Sequence, residues 1–279
     1  MPPEPVTQRT RSLPSMLAAG ATDIGPVRRE NEDNFLLDET LGLAMVADGM
    51  GCRADDEVAS AGALVALRDY LARHAGALRI PSGDATLRAD PHAALPPPAG
   101  DAVDLMHAAV AHANASLYQQ NRARGHTDDD GTGTTLTGFW YPPGSVQLVM
   151  FHVGDSRLYR LRGAILEQLS RDQTLYRQAL DSGMVDTLPA RNVPMQAVGP
   201  APSVDAEVRA HPVLPGDLLM LCSDGLHGSV PHAEIENAMR GSATGKLDTA
   251  CARLIELAYE YGGSDNITVV LAACQPGQG

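Results

Sequence analysis

The stretch Leu43-Ala44-Met45-Val46-Ala47-Asp48-Gly49-Met50-Gly51 sets an apolar run of strand length directly against an aspartate and a glycine. The same juncture recurs along the chain. Gly154-Asp155 follows the apolar residues 148–153, Asp224-Gly225 follows residues 218–222, Asp265 precedes residues 267–271, and Glu32-Asp33 stand just before another strand-like run. A carboxylate at a strand end is held by a rigid element, and an adjacent glycine lets backbone, metal or substrate come close. Any one Asp-Gly also reads as an ordinary turn, because these residues dominate turns. Several such carboxylates gathered in one crevice would repel each other strongly unless cations neutralised them. Hard oxygen donors suit Mg²⁺ or Mn²⁺ better than zinc.

Outward from these junctures, residues 16–24, 34–41 and 43–47 are strand-length segments that open the chain as a sheet. Two helices are predicted next. In residues 56–74, Val58, Ala61, Leu64, Val65, Leu67 and Leu71 recur at three- and four-residue steps. Residues 101–123 repeat the pattern through Val103, Met106, Val110, Ala113 and Leu117, with Asp101 as the expected cap. Between them, residues 76–100 hold Pro81, Pro91, Pro96, Pro97 and Pro98, which predicts an exposed loop. Strands are expected again at 134–141, 146–153, 157–161, 204–213, 218–222 and 267–274, with turns at Pro142-Pro143-Gly144 and Arg162-Gly163. Helical spacing returns at 173–182, 231–240 and 247–261. Runs of strands with helices grouped before and after them indicate an antiparallel α+β fold whose helices cover packed sheets.

Composition narrows the function. The 279 residues, 44% hydrophobic, suit one large domain at 15–275 after a flexible tail at 1–14. No apolar run reaches the roughly 18 residues of a membrane span. Pro14 and Ser15 interrupt the only stretch resembling a secretion signal, so a cytoplasmic protein is expected. The four cysteines, Cys52, Cys222, Cys251 and Cys274, show no zinc spacing and are expected to be reduced. A net charge of −13 opposes a nucleic-acid surface.

The ordered series Thr22-Asp23-Ile24-Gly25, Arg28 to Asp33 (RRENED), Val46 to Gly51 (VADGMG), Gly131 to Thr135 (GTGTT), His152 to Arg157 (HVGDSR), Ser223-Asp224-Gly225 and Ser264 to Thr268 (SDNIT) resembles the bacterial protein phosphatase 2C family. The likeness covers residues 18–273. It implies an αββα sandwich, two antiparallel β-sheets flanked by antiparallel helix pairs, and a metal-dependent serine/threonine protein phosphatase. Position by position, Asp48 resembles the carboxylate bridging two ions and Gly49 the carbonyl donor to one of them. Asp224 and Asp265 resemble ligands of the first ion, and Glu32 and Asp33 the acidic pair that binds through waters. Asp155, sharing Asp224, resembles the ligand of a third, weaker ion, and Arg28 the clamp on the substrate phosphate. Two Mn²⁺ or Mg²⁺ ions about 4 Å apart would activate water for in-line attack on phosphorus. Phosphorylated proteins are the implied substrates and a serine/threonine kinase the implied counterpart. A monomer is expected.

Ser223 and Ser156 lack any activating His-Asp arrangement and are expected to be structural. Cys52 stands where the family has a second glycine, Asp55-Asp56 replace small residues, and Met50 occupies the position of a histidine found in eukaryotic relatives. Residues 172–199 resemble the family's flap, shortened, where Arg171, Arg177, Arg191 and Gln196 could meet the substrate protein. Trp140 and His152 show no metal spacing and are expected to pack. On the residues alone, two rivals stay open: a catalytically weak relative that docks phosphoproteins, and a two-metal phosphodiesterase, which the acidic surface opposes.

Overall fold

In β-strands successive side chains point to opposite faces, so an unbroken apolar run needs cover on both sides. The strand Leu43–Met50 shows how that cover is provided. Leu43, Met45 and Ala47 join Leu64, Leu67, Leu71 and Met106 in one buried cluster with the first two helices. Ala44 and Val46 turn the other way and join Phe139, Leu148 and Met150 against Leu219, Leu221 and Val270 of the second sheet. The alternation repeats in Leu218–Cys222, whose Leu218, Met220 and Cys222 join Leu254 and Ile255 beneath the last helices. Helices, sheet, sheet and helices thus stack in four layers.

The computed structural model describes residues 6–7, 11–13, 16–50, 56–78, 100–128, 131–142, 145, 147–184, 187–242 and 246–275. Cys52, Asp55 and most of the proline-rich stretch expected as a loop lie outside the described residues. In chain order the elements begin with β1 (Val6–Thr7), β2 (Arg11–Leu13), β3 (Met16–Asp23), β4 (Asp33–Asp38) and β5 (Leu43–Met50), followed by α1 (Asp56–His74) and α2 (Gly100–Ala123). Next come β6 (Gly133–Thr134), β7 (Leu136–Trp140), β8 (Gln147–Val153), β9 (Arg157–Arg162), β10 (Ile165–Gln168) and α3 (Leu175–Asp181). The chain closes with β11 (Glu207–Pro212), β12 (Leu218–Cys222), α4 (Asp224–His227), α5 (His232–Ser242), α6 (Leu247–Glu260) and β13 (Ile267–Cys274).

One sheet runs β1-β3-β13-β12-β9-β10 with β2 also on β3, and the other runs β11-β8-β7-β5-β4 with β6 on β5. All pairings are antiparallel. The architecture is the α+β sandwich expected from the sequence.

Several boundaries move for physical reasons. Part of the tail expected at 1–14 pairs with β3 as β1 and β2. Asp101 lies in the first turn of α2, which is described from Gly100. The strand expected at 134–141 is interrupted at Thr135, where the hydroxyl replaces the backbone carbonyl as acceptor of the Asp48 N–H at 2.9 Å. The turn at Arg162-Gly163 leads into the short strand β10, with Gly163 at φ +59°. Cys222, Cys251 and Cys274 are buried free thiols. Among the described residues no helix is long and apolar enough to cross a membrane.

Candidate metal centre

Antiparallel neighbours bring the end of one strand beside the start of the next, and this geometry collects the acidic junctures at one end of the sandwich. Asp33, first residue of β4, lies directly opposite Asp48 on β5. Asp224 opens α4 immediately after β12, Asp265 precedes β13, and Asp155 sits in the turn between β8 and β9. The glycines act here through close backbone approach. A Cβ on Gly225 would lie 1.9 Å from the Asn266 carbonyl oxygen, and one on Gly25, at φ +76°, would lie 2.1 Å from the Asp265 carbonyl oxygen. Only glycine lets α4 and the turn after β3 close on the 265–266 backbone.

Polar side chains then lock the carboxylates in place. Ser223 Oγ donates to Asp33 Oδ2 at 2.7 Å and accepts from the Thr268 N–H at 3.0 Å. Asn266 accepts from the Glu32 N–H at 2.9 Å and donates through Nδ2 to the Ile24 and Glu30 carbonyls at 2.8 and 2.9 Å. The Gly49 N–H reaches the Glu32 carbonyl at 3.2 Å. His227 Nε2 donates to the Asp155 carbonyl at 2.9 Å. Burial pushes the His227 imidazole down to about 3, so it is neutral with its Nε2 proton committed to that bond.

The electrostatics are those of crowded, buried like charges. Burial, with repulsion from Asp224 and Asp265, pushes Asp33 up to about 7 despite its bonds from Ser223 and Thr268. Asp48 is driven well above the carboxylate range by burial and by Asp33, Asp224, Asp155 and Asp265. Burial and Asp224 raise Asp155 to about 7, and burial and Asp265 raise Asp224 to about 6. At the rim, Arg28 Nη2 donates to Asp265 Oδ2 at 2.7 Å.

The structure therefore brings together Asp33, Asp48, Asp155, Asp224 and Asp265, sets Arg28 at the edge, and holds Glu32 and Gly49 beside them through the backbone. Among the described residues no three His, Cys, Asp or Glu side chains form a ready-made cage for a single ion. Asp265 is engaged by Arg28 and Asp33 by Ser223. The donor set still fits divalent cations. Asp224 Oδ1 is buried with no hydrogen-bond partner among the described residues, an unmet acceptor inside a group of carboxylates that cannot all ionise without positive charge.

Asn266, Thr135 and His227 support the centre, a role that the sequence assigned to none of them. Asn266 stands inside the SDNIT motif, but an uncharged amide gives no sign that it braces a loop. Nothing in the pattern around Thr135 or His227 reveals their partners. Ser223 and Ser156 are structural, as expected, the latter sharing a hydrogen bond with Thr135 Oγ1 at 2.7 Å. His152 is buried in β8, with its ring nitrogens on Thr137 Oγ1 at 2.8 Å and the Arg171 carbonyl at 3.0 Å. Beside the carboxylates a cavity of about 440 Å³ extends from Asp155 and Asp224 to Arg177, Tyr176 and Arg191 on the segment expected as a flap.

The family described as Protein phosphatase 2C matches residues 29–266. The serine/threonine phosphatase stp of Listeria monocytogenes is 31% identical over 264 residues, which cover 92% of this chain and 95% of that protein. Among solved structures, the serine/threonine phosphatase PstP/Ppp of Mycobacterium tuberculosis is 30% identical with a TM-score of 0.75, covering 94% of this chain and 99% of that one. The catalytic domain of the serine/threonine protein phosphatase PstP in complex with 2 manganese ions is 31% identical with a TM-score of 0.73, covering the same shares, 94% and 99%.

Proposed function

This chain belongs to the protein phosphatase 2C family, and from that membership we propose how its carboxylate crevice hydrolyses phosphoserine and phosphothreonine in proteins. The enzyme is a serine/threonine phosphatase whose cofactor is Mn²⁺ or Mg²⁺. In our reading Asp48, the Gly49 carbonyl, Asp224 and Asp265 hold two core ions, with Asp33 and Glu32 behind them, and Asp155 shares Asp224 in a third, weaker site. Bound there, the ions supply Lewis acidity that makes water nucleophilic at neutral pH and offsets charge on the phosphate.

The remaining work belongs to the chain's own groups. Asp48, on a strand braced by Thr135, keeps its position without solvent rearrangement, as a preorganised site requires. Arg28 uses one of its five donors on Asp265, and its fork is suited to take phosphate oxygens in pairs. Neither Ser223 nor Ser156 is placed as a nucleophile, since their hydroxyls are engaged with Asp33 and Thr135. The unmet, buried Oδ1 of Asp224 is the observation that carries this reading. A docking relative without catalysis has no support in the assembled site.

Asp224→Asn tests the assignment. It should lower Mn²⁺-dependent hydrolysis of p-nitrophenyl phosphate by more than about a hundredfold, beyond the cost of losing an outer-shell partner. Calorimetry should show weaker Mn²⁺ binding by the folded variant. Wild-type turnover with an unchanged Mn²⁺ titration would remove Asp224 from the centre. A serine/threonine kinase as counterpart and a monomer in the cytoplasm complete the proposal; buried free thiols suit a reducing compartment.

A further inference from the structure

The flap sets three arginines, Arg171, Arg177 and Arg191, beside the reacting centre, and among the described residues their carboxylate partners are few. Resting on the phosphatase reading above, we propose that Arg191, with Arg177 and Arg171, forms a subsite for a second anionic group on the substrate polypeptide, a carboxylate or another phosphate flanking the phosphoresidue.

In a protein of net charge −13, arginines are expected to find carboxylate partners readily. Most here do. Arg157 forks onto Asp172 at 2.8 and 2.5 Å, and Arg209 meets Glu207 at 3.1 Å. The flap is different. Arg171 and Arg177 both lean on the single carboxylate of Asp181, which can neutralise only one of them. Arg191 has no carboxylate partner among the described residues; its guanidinium lies over the Tyr176 ring, 4.8 Å from the centroid. Stacking fixes the plane of a guanidinium while leaving its edge donors available for a forked bond to a carboxylate or phosphate.

Position ties these arginines to catalysis. Arg177 and Arg191 line the same cavity of about 440 Å³ as Asp155 and Asp224, so a polypeptide whose phosphate sits at the carboxylates passes the arginines. Around them Leu175, Leu180, Met184, Val193 and Met195 are exposed, an apolar surface on which an extended segment can lie. Guanidinium groups at the mouth of this cavity also help to orient an incoming phosphoprotein, since complementary charge acts before contact.

The experiment compares phosphothreonine peptides with full-length enzyme and Mn²⁺. One has neutral flanks, a second set carries glutamate moved residue by residue along the peptide, and a third replaces that glutamate by a second phosphothreonine. Wild-type enzyme should show a lower KM for one placement of the acidic group, by about fivefold for an exposed pair, with kcat little changed. Arg191→Gln, an exposed position, should erase that preference while leaving the neutral peptide as in wild type, and Arg191→Glu should reverse it towards a lysine-flanked peptide. A greater gain from phosphate than from glutamate would make phosphate the occupant, and equal gains would make it any carboxylate or phosphate. Equal KM for neutral and acidic peptides in the wild type, or an equal loss on both in Arg191→Gln, would overturn the subsite. Hydrolysis of p-nitrophenyl phosphate, too small to span the cavity, reads the carboxylate centre alone. Its absence in wild-type enzyme would sink the phosphatase reading itself, whereas its presence with indifferent peptides would sink only the subsite.

Discussion

Gly225 looks at first like half of a turn signal, yet its neighbours explain it better. With the Asn266 carbonyl oxygen 1.9 Å from where a Cβ would stand, even alanine must push α4 away from the loop that carries Asp265. Overpacking of this kind costs about 1–3 kcal/mol. Here it would also separate Asp224 from Asp265, so Gly225→Ala should lower the melting temperature and weaken Mn²⁺ binding together. Calorimetry and thermal melting check both, and a variant unchanged in either would mean that the 265–266 backbone yields freely. Asn266 belongs to the same joint, because its amide ties Ile24, Glu30 and Glu32 to one point. Its motif was visible in the sequence, but its role was not, because the bonds reach residues more than two hundred positions away.

Among elements, the long helices were the most legible. Helix α1 spans residues 56–74 as expected, with Leu64, Leu67 and Leu71 pressed on β5 and α2, whereas Val58 and Val65 of the same spacing are exposed. The flap helix α3 is the opposite case. Its seven residues are too few to be stable alone. It is held by the Thr174 hydroxyl, which accepts from the Arg177 N–H at 3.2 Å, and by the Leu175 N–H on the Val193 carbonyl at 3.0 Å. Removing such a cap costs about 1 kcal/mol. Thr174→Ala should therefore leave global melting nearly unchanged while speeding amide exchange across α3. Equal protection of α3 in both proteins would show that the Val193 contact alone suffices. Short elements such as β10 and α4 escaped the periodicity reading because four residues show too few repeats to count.

Across the whole molecule, the acidic end couples stability to pH and to cations. Without metal, burial and mutual repulsion put Asp33, Asp155 and Asp224 near 7, 7 and 6, and hold Asp48 well above the usual carboxylate range. In the unfolded chain an aspartate titrates at about 3.9. The metal-free fold thus binds protons more tightly than the unfolded chain, and the stability from this source is full below about pH 4 and lost as pH rises through about 7. Divalent cations favour the ionised carboxylates and stabilise the fold by binding it. Saturating Mn²⁺ should raise the melting temperature more at about pH 8 than at about pH 5.5, with weaker apparent affinity at the lower pH. A Mn²⁺-induced shift independent of pH would mean that these carboxylates are not where the ion binds.

Local chemistry in the sequence determined the strand-length runs, the helix periods, the α+β class and the set of acidic junctures that pointed to cations, because each depends on residues within a few positions of one another. The tertiary structure decided which of those junctures meet. Asp33 faces Asp48 through strand register, Asp224 and Asp265 share one crevice because β12 and β13 are antiparallel neighbours, and Arg28 reaches Asp265 across the chain. Register and strand order are set by burial on both faces of each sheet, a long-range condition that no local pattern of residues encodes.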